Sequence, residues 1–256
     1  MSKSPWTPDY SKLADTYDKY RRLKPVDRLI LDRLIQLADI RREREVSLLE
    51  IGCGTGNYIT PLSPLIEKGI GLDVSKHMIQ RAFERCREAL FILADAAAVP
   101  LIPEAFDVVI AVLVIHQIWK GNRSTVFREA FRVLKPGGKL LTVTFDPAFL
   151  REHPYSLFPG VLEIDLKRFC PVSELEGLLR QAGFRQVNSE EILMEMKYSS
   201  KGLLESARKK LISTVALLPE EKFKSGLGEF KQRLLSKYGE DEFPFTYKRI
   251  ILVANK

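Results

Sequence analysis

Three glycines at alternate positions, Gly52, Gly54 and Gly56, follow the apolar run Leu48-Leu49-Glu50-Ile51, which carries one acid. A second short apolar run, Gly69-Ile70-Gly71-Leu72, ends on Asp73, and Asp95 lies 22 residues further on. Glycine accepts positive φ and bares the backbone, so such a loop lets a ligand lie against the main chain. An acid at the end of the next strand offers two acceptor oxygens to the vicinal hydroxyls of a ribose. The pattern reads as a nucleoside-containing ligand held where a buried strand stops.

The spacing narrows the ligand. A dinucleotide fingerprint runs G-x-G-x-x-G, its last glycine letting helix and strand close around a pyrophosphate. Here the order is G-x-G-x-G, and Asn57 stands where that last glycine belongs. No Lys-Ser/Thr pair follows, which excludes a triphosphate loop. Two acids ending successive strands suit a ribose and an adenine amino group without phosphates.

These residues resemble the class I S-adenosylmethionine (SAM)-dependent methyltransferases, in particular the branch with ubiquinone/menaquinone-type and other small-molecule enzymes. The resemblance is carried by residues 49–56, by Gly71-Leu72-Asp73-Val74-Ser75-Lys76-His77-Met78-Ile79 and by Ala94-Asp95-Ala96. It continues through Phe106-Asp107-Val108-Val109 with His116, Val133-Leu134-Lys135-Pro136-Gly137-Gly138 and residues 178–184. It implies SAM as cofactor. Gly52, Gly54 and Gly56 would lie against its methionine part, and Glu50 would orient the loop or offset its ammonium and sulfonium charges. Asp73 would accept from both ribose hydroxyls. Val74 and Met78 would pack on the adenine, Asp95 would accept from its amino group, and the Ala96 N–H would donate to a ring nitrogen. The strand end at Val112 would offer backbone acceptors to the cofactor amine. Tyr17, Tyr20 and Arg21 resemble the family's N-terminal element, with Arg21 clamping the cofactor carboxylate. His116 would position the substrate or act as a base, and Trp119, His153 and Tyr155 would line the substrate pocket.

The elements that must position these groups follow from periodicity. Short apolar runs at 47–51, 69–73, 90–94 and 106–112 read as parallel strands covered on both faces. Helices are expected after Pro25, from Ser75 to about Ala89, from about Ser124 to Leu134, and over 173–182 with a Ser173/Glu176 capping box. Pro61 and Pro64 predict an interrupted helix after the glycine loop. Further strands are expected at 139–145, 186–194 and 249–254. The alternation predicts a doubly wound α/β fold. The resemblance makes it a Rossmann-like seven-stranded sheet with the last strand antiparallel beside the fifth. Leu203, Ala207, Leu211, Val215 and Leu218 form one helical stripe, and Phe223, Leu227, Phe230, Leu234 and Tyr238 a second. Segments 1–25, 147–170 and 196–248 are expected to form a mainly helical cap on a single domain spanning 1–256.

Composition bounds the rest. The chain has 256 residues, 45% of them hydrophobic, enough for one large α/β domain with an added lobe. No apolar run approaches the length of a membrane span. Met1-Ser2-Lys3-Ser4-Pro5-Trp6 lacks the apolar core of a secretory signal. Cys53, Cys86 and Cys170 show no metal-ligand spacing and read as reduced thiols, so a cytoplasmic protein without a bound metal is expected. The net charge is +7, and residues 197–237 hold 10 basic and 4 acidic side chains. That lobe reads as a solvated lysine-rich face, as a surface for an anionic substrate, or as an RNA contact. The leading expectation is methyl transfer to a small organic molecule. The alternatives are a tRNA or other nucleic-acid methyltransferase and a non-catalytic SAM-binding protein.

Overall fold

The computed structural model describes residues 6, 8, 25–41 and 44–256. Seven strands form one sheet: β1 (Ser47–Ile51), β2 (Lys68–Asp73), β3 (Leu90–Leu93), β4 (Phe106–Val112), β5 (Leu134–Thr144), β6 (Val187–Ser199) and β7 (Glu242–Asn255). Their order is β3-β2-β1-β4-β5-β7-β6. Strands β1 to β5 are parallel to their neighbours, whereas β7 runs antiparallel between β5 and β6. The strand order reverses between β1 and β4, and the crevice at such a switch point is where ligands bind in open α/β sheets.

Alternation along the central strands explains the layers. Leu49, Ile51, Val109 and Ala111 face one apolar core, and Leu48, Val108, Ile110 and Val112 face the other. The first core is closed by α4 (Lys120–Val133) and α7 (Val172–Gln181) through Phe127, Ala130, Leu175 and Leu179. The second is closed by α1 (Pro25–Ala38) through Val26, Ile30 and Leu34 and by α2 (Ile59–Leu62) through Ile59 and Leu62. All five residues of β1 are buried, which fits its position between β2 and β4.

The helix after the glycine loop is interrupted, as Pro61 and Pro64 require. α2 is a single turn, and a 3-10 turn at Ser63–Leu65 follows it. Pro61 falls in the first turn, where its missing N–H leaves no ladder bond unmade. Ser75 caps α3 (Lys76–Arg85), accepting from the Met78 N–H at 3.4 Å. Several expected boundaries change: α3 ends at Arg85 rather than about Ala89, and β5 begins at Leu134 rather than 139. α4 starts at Lys120 rather than Ser124. α7 starts after Pro171, whose preset φ makes it the N-cap, so Ser173 lies inside the helix and the capping box does not form. Strands β6 and β7 continue past their expected ends and pair over 187–199 and 242–254. Residues 196–199 and 242–248, expected in the cap, therefore belong to this ribbon.

Residues 147–170, expected in the mainly helical cap, form α5 (Pro147–Glu152), a 3-10 turn at Pro154–Leu157 and α6 (Val161–Arg168). The first stripe is split into α8 (Ser200–Arg208) and α9 (Ser213–Ala216), with Lys210 at φ +50° in the break. The second stripe is α10 (Glu220–Tyr238). Tyr155, Phe158 and Val161 pack with Leu203, Ala207, Val215, Phe230 and Leu234 in a third apolar cluster. Among the described residues, no helix is long and apolar enough to cross a membrane.

Candidate active site

A cavity of about 970 Å³ opens beyond the C-terminal ends of β1, β2 and β4. Its size is at the upper end of the ~300–1,000 Å³ usual for small-molecule sites. One group of lining residues comes from the strand ends and the glycine loop, the other from 145–169, 210–214 and β7.

The loop is built by backbone constraints. Gly52, Gly54 and Gly56 have φ of +70°, +54° and +79°. A Cβ on Gly52 would lie 2.3 Å from Val114 Cγ2, whereas one on Gly54 would meet nothing within 4 Å. Gly52 is thus required by crowding, and Gly54 faces open space that a ligand can enter. The Gly52 and Cys53 N–H groups donate to Leu72 O at 2.7 and 3.0 Å and fasten the loop to β2.

Asp73 stands at the end of β2. Its Oδ2 accepts from the Gly54 N–H at 2.9 Å and its Oδ1 from the Ser75 N–H at 2.8 Å. Two opposed backbone donors hold the carboxylate at the cavity wall, and each oxygen retains a lone pair for a ligand. Burial raises its pKa, and the Ser75 and Gly54 N–H groups oppose the rise. Glu50 is buried on β1, and its Oε2 accepts from the Ile59 N–H at 3.0 Å. Burial pushes its carboxyl up to about 8, with the charge of Asp73 adding to the effect and the Ile59 N–H opposing it. Burial first, then the neighbouring acids, keep the Cys53 thiol protonated.

Asp95 follows β3, and its Oδ1 accepts from the Ala97 N–H at 2.9 Å. Asp95, Ala96, Val74, Met78 and Val112 all line the cavity. So do His116, Trp119, His153 and Tyr155. His116 is buried in a 3-10 turn and stacks on Phe169 with ring centroids 4.2 Å apart. Trp119 stacks on Trp6 at 5.9 Å. Of the residues singled out from sequence, Gly56 is set back from the cavity wall, and Tyr17, Tyr20 and Arg21 lie outside the described residues.

Sequence reasoning missed much of the second wall. Phe145, Phe169, Tyr247, Arg249 and Asp165 line it with residues 210–214. Arg249 is buried, its guanidinium 3.5 Å from the Phe145 ring centroid and 3.9 Å from that of Tyr247. A charge opening the apolar run of β7 was a usable signal for Arg249. Asp165 sits among Glu163 and Lys167 on an ordinary amphipathic helix, and nothing in the sequence marked it.

An open glycine cradle, a fixed ribose-height carboxylate and a buried acid in one cavity fit SAM, and the fold is that of the Rossmann-like proteins that bind it. Residues 49–142 match the family model of a methyltransferase domain. The chain is 32% identical over 148 residues to a malonyl-[acyl-carrier protein] O-methyltransferase of Legionella pneumophila, covering 56% of this chain and 50% of that protein. It is 24% identical over 206 residues to a demethylmenaquinone methyltransferase of Anoxybacillus flavithermus, covering 70% and 86%. A candidate methyltransferase of an antibiotic biosynthesis pathway from Anabaena variabilis superposes with a TM-score of 0.71 at 24% identity, covering 90% and 98%. A methyltransferase domain therefore lies within residues 49–142, and the chain is similar to the class I SAM-dependent methyltransferases. It spans about half the length of the first of these relatives.

Proposed function

We propose that this protein transfers a methyl group from SAM to a small organic molecule by in-line displacement. When bound, SAM supplies an electrophilic methyl on a positively charged sulfur that departs as a neutral thioether. The observation that carries the reading is the pairing of Asp73, held by Gly54 and Ser75, with a second, aromatic wall in the same cavity. Asp73 accepts from the ribose hydroxyls, and Asp95 and the Ala96 N–H read the adenine between Val74 and Met78. Glu50 faces the cationic part of the cofactor, Gly52 and Gly54 admit its methionine portion, and the Val112 strand end takes its amine. Tyr17, Tyr20 and Arg21 complete the carboxylate end.

The acceptor lies against His116, Trp119, His153 and Tyr155, under a cap made of residues 147–168 and 200–238. Holding the nucleophile in line and excluding water can supply up to ~7–11 kcal/mol of a barrier. The reading is tested by calorimetric titration with SAM and NAD, then by a screen of metabolite extracts for transfer of labelled methyl groups. Binding of NAD without SAM would refute it. The curated relatives favour a small acceptor over RNA. In the basic lobe, three of the four acids already pair with lysine or arginine: Glu205 with Lys209, Glu220 with Lys210, and Glu229 with Arg233.

A further inference from the structure

We propose that Asp165 takes the proton from a planar hydroxyl acceptor, such as a phenol or an enol, and that Thr214 and Arg168 hold it in position to do so. The proposal rests on the methyl-transfer reading above. It starts from a chain of contacts that nothing in the cofactor site uses. Arg168, fully buried on α6, donates from Nη1 to Thr214 Oγ1 at 2.6 Å. The Thr214 hydroxyl in turn donates a hydrogen bond to Asp165 Oδ1, and Arg168 Nη1 stands 3.7 Å from the same oxygen. Among the described residues, no hydrogen bond engages Oδ2 beside these, and the side chain keeps 13% of its surface exposed where it lines the cavity. Oδ1 is anchored, and the residue lines the space an acceptor would fill.

The surroundings select the chemistry. Phe145, Phe169, Tyr155 and Tyr247 present flat apolar walls to that space. Arg249 and Lys210 also line it, and cations in the wall favour a ligand developing negative charge on oxygen over one already positive. His153 is excluded as the base. Burial and the Arg249 cation push it down to about 3, and its Nδ1 already accepts from the Tyr155 N–H at 3.3 Å. Asp165 behaves otherwise. Burial raises its carboxyl to about 6 against the opposing pull of Thr214 and Arg168, so it is ionised at neutral pH and more basic than a surface carboxylate. Its own helix carries Glu163 and Lys167, and the titratable groups lining the same cavity include His116, His153, Lys210, Tyr247 and Arg249. The step balances. The acceptor oxygen forms a bond to the methyl carbon, the carbon–sulfur bond breaks with its electron pair going to sulfur, and the O–H proton passes to Asp165 Oδ2. The products are a methyl ether and S-adenosylhomocysteine.

The test compares the native protein with Asp165→Asn, which keeps an oxygen for the Thr214 hydroxyl. The probes are substituted phenols, some ionised at about pH 8 and some still protonated. For protonated phenols, kcat should fall by about 10²–10⁴, the usual contribution of a positioned base, and the acidic limb of the pH profile should vanish. Phenols already ionised should keep their rate. Calorimetry should show unchanged SAM affinity, with protonated phenols binding the S-adenosylhomocysteine complex about tenfold more weakly, as expected for one lost charge-assisted hydrogen bond. Equal losses on both phenol classes, or no loss on either, would overturn the assignment. A native protein that binds SAM yet methylates none of these phenols would overturn the acceptor class and leave the cofactor reading standing. Absence of SAM binding would remove both.

Discussion

Glu50→Gln separates cofactor chemistry from simple loop packing. The free site holds Glu50 with its pKa pushed up to about 8, so at about pH 7 roughly one molecule in eleven carries the carboxylate. At about pH 9 the ionised share rises to roughly ten in eleven. A ligand bearing a sulfonium and an ammonium binds the ionised form better, so its apparent affinity should rise about tenfold across those two pH units. Glutamine keeps an oxygen for the Ile59 N–H and cannot titrate. The ratio of variant to native Kd for SAM should therefore grow about tenfold from about pH 7 to about pH 9. Taking the ratio cancels the titration of the ligand's own ammonium. Calorimetry at several pH values reads it directly, and a flat ratio would refute the claim that Glu50 answers the cofactor's charge.

The same residue sets a stability slope of opposite use. Its folded pKa lies above the ordinary value of 4.5, so the native state holds more protons than the unfolded chain between about 4.5 and about 8. Stability contributed by Glu50 is thus present below this window and is lost as pH rises through it. The full shift corresponds to roughly 5 kcal/mol, and relaxation of the site in the ionised state reduces what a melt will record. Denaturant melts of the SAM-free protein should show this slope in the native chain and lose it in Glu50→Gln.

Three further substitutions test other parts of the site. Asp73→Ala should weaken SAM binding by about 1–3 kcal/mol by calorimetry, because it removes the proposed ribose acceptor and frees the Gly54 and Ser75 N–H groups. Gly52→Ala should lower stability by about 1–3 kcal/mol in chemical denaturation, since its Cβ would meet Val114 at 2.3 Å on a backbone at φ +70°. Thr214→Val should cost about 1–3 kcal/mol in the same assay, because Arg168 and Asp165 each lose a buried partner at nearly constant volume.

The donor half of the site was legible because backbone geometry dictates residue type there. A positive φ at 52, 54 and 56 demands glycine, and a strand end facing two N–H groups suits an aspartate at 73. The long ribbon of β6 was partly legible too. Met194, Met196 and Tyr198 alternate with Glu195, Lys197 and Ser199, a period of two that continues beyond the expected end at 194. The acceptor wall was not legible. Asp165, Thr214 and Arg249 come from segments far apart in sequence, and only tertiary packing brings them to one cavity. The Ser173/Glu176 spacing misled because Pro171 competes for the same cap and fixes the chain two residues earlier.

The break in the first cap stripe shows why apolar period alone underdetermines a functional wall. Leu203, Ala207, Leu211, Val215 and Leu218 are all buried, as one continuous helix would make them. Yet Lys210 turns to φ +50°, and the Leu211 N–H reaches back to Ser206 O at 3.1 Å, closing α8 before α9 begins. The hydrophobic stripe is satisfied either way, so burial does not choose between the two backbones. Polar contacts outside the stripe do distinguish them. With the turn in place, Thr214 meets Arg168 and Asp165 while residues 210–214 line the cavity. Lys210 joins Glu220 at 2.8 Å, and its ammonium sits 4.2 Å from the Phe223 ring centroid, tying the turn to the start of α10. The shape of the acceptor wall is therefore set by a few polar residues superimposed on an apolar pattern that would have accepted a plain helix.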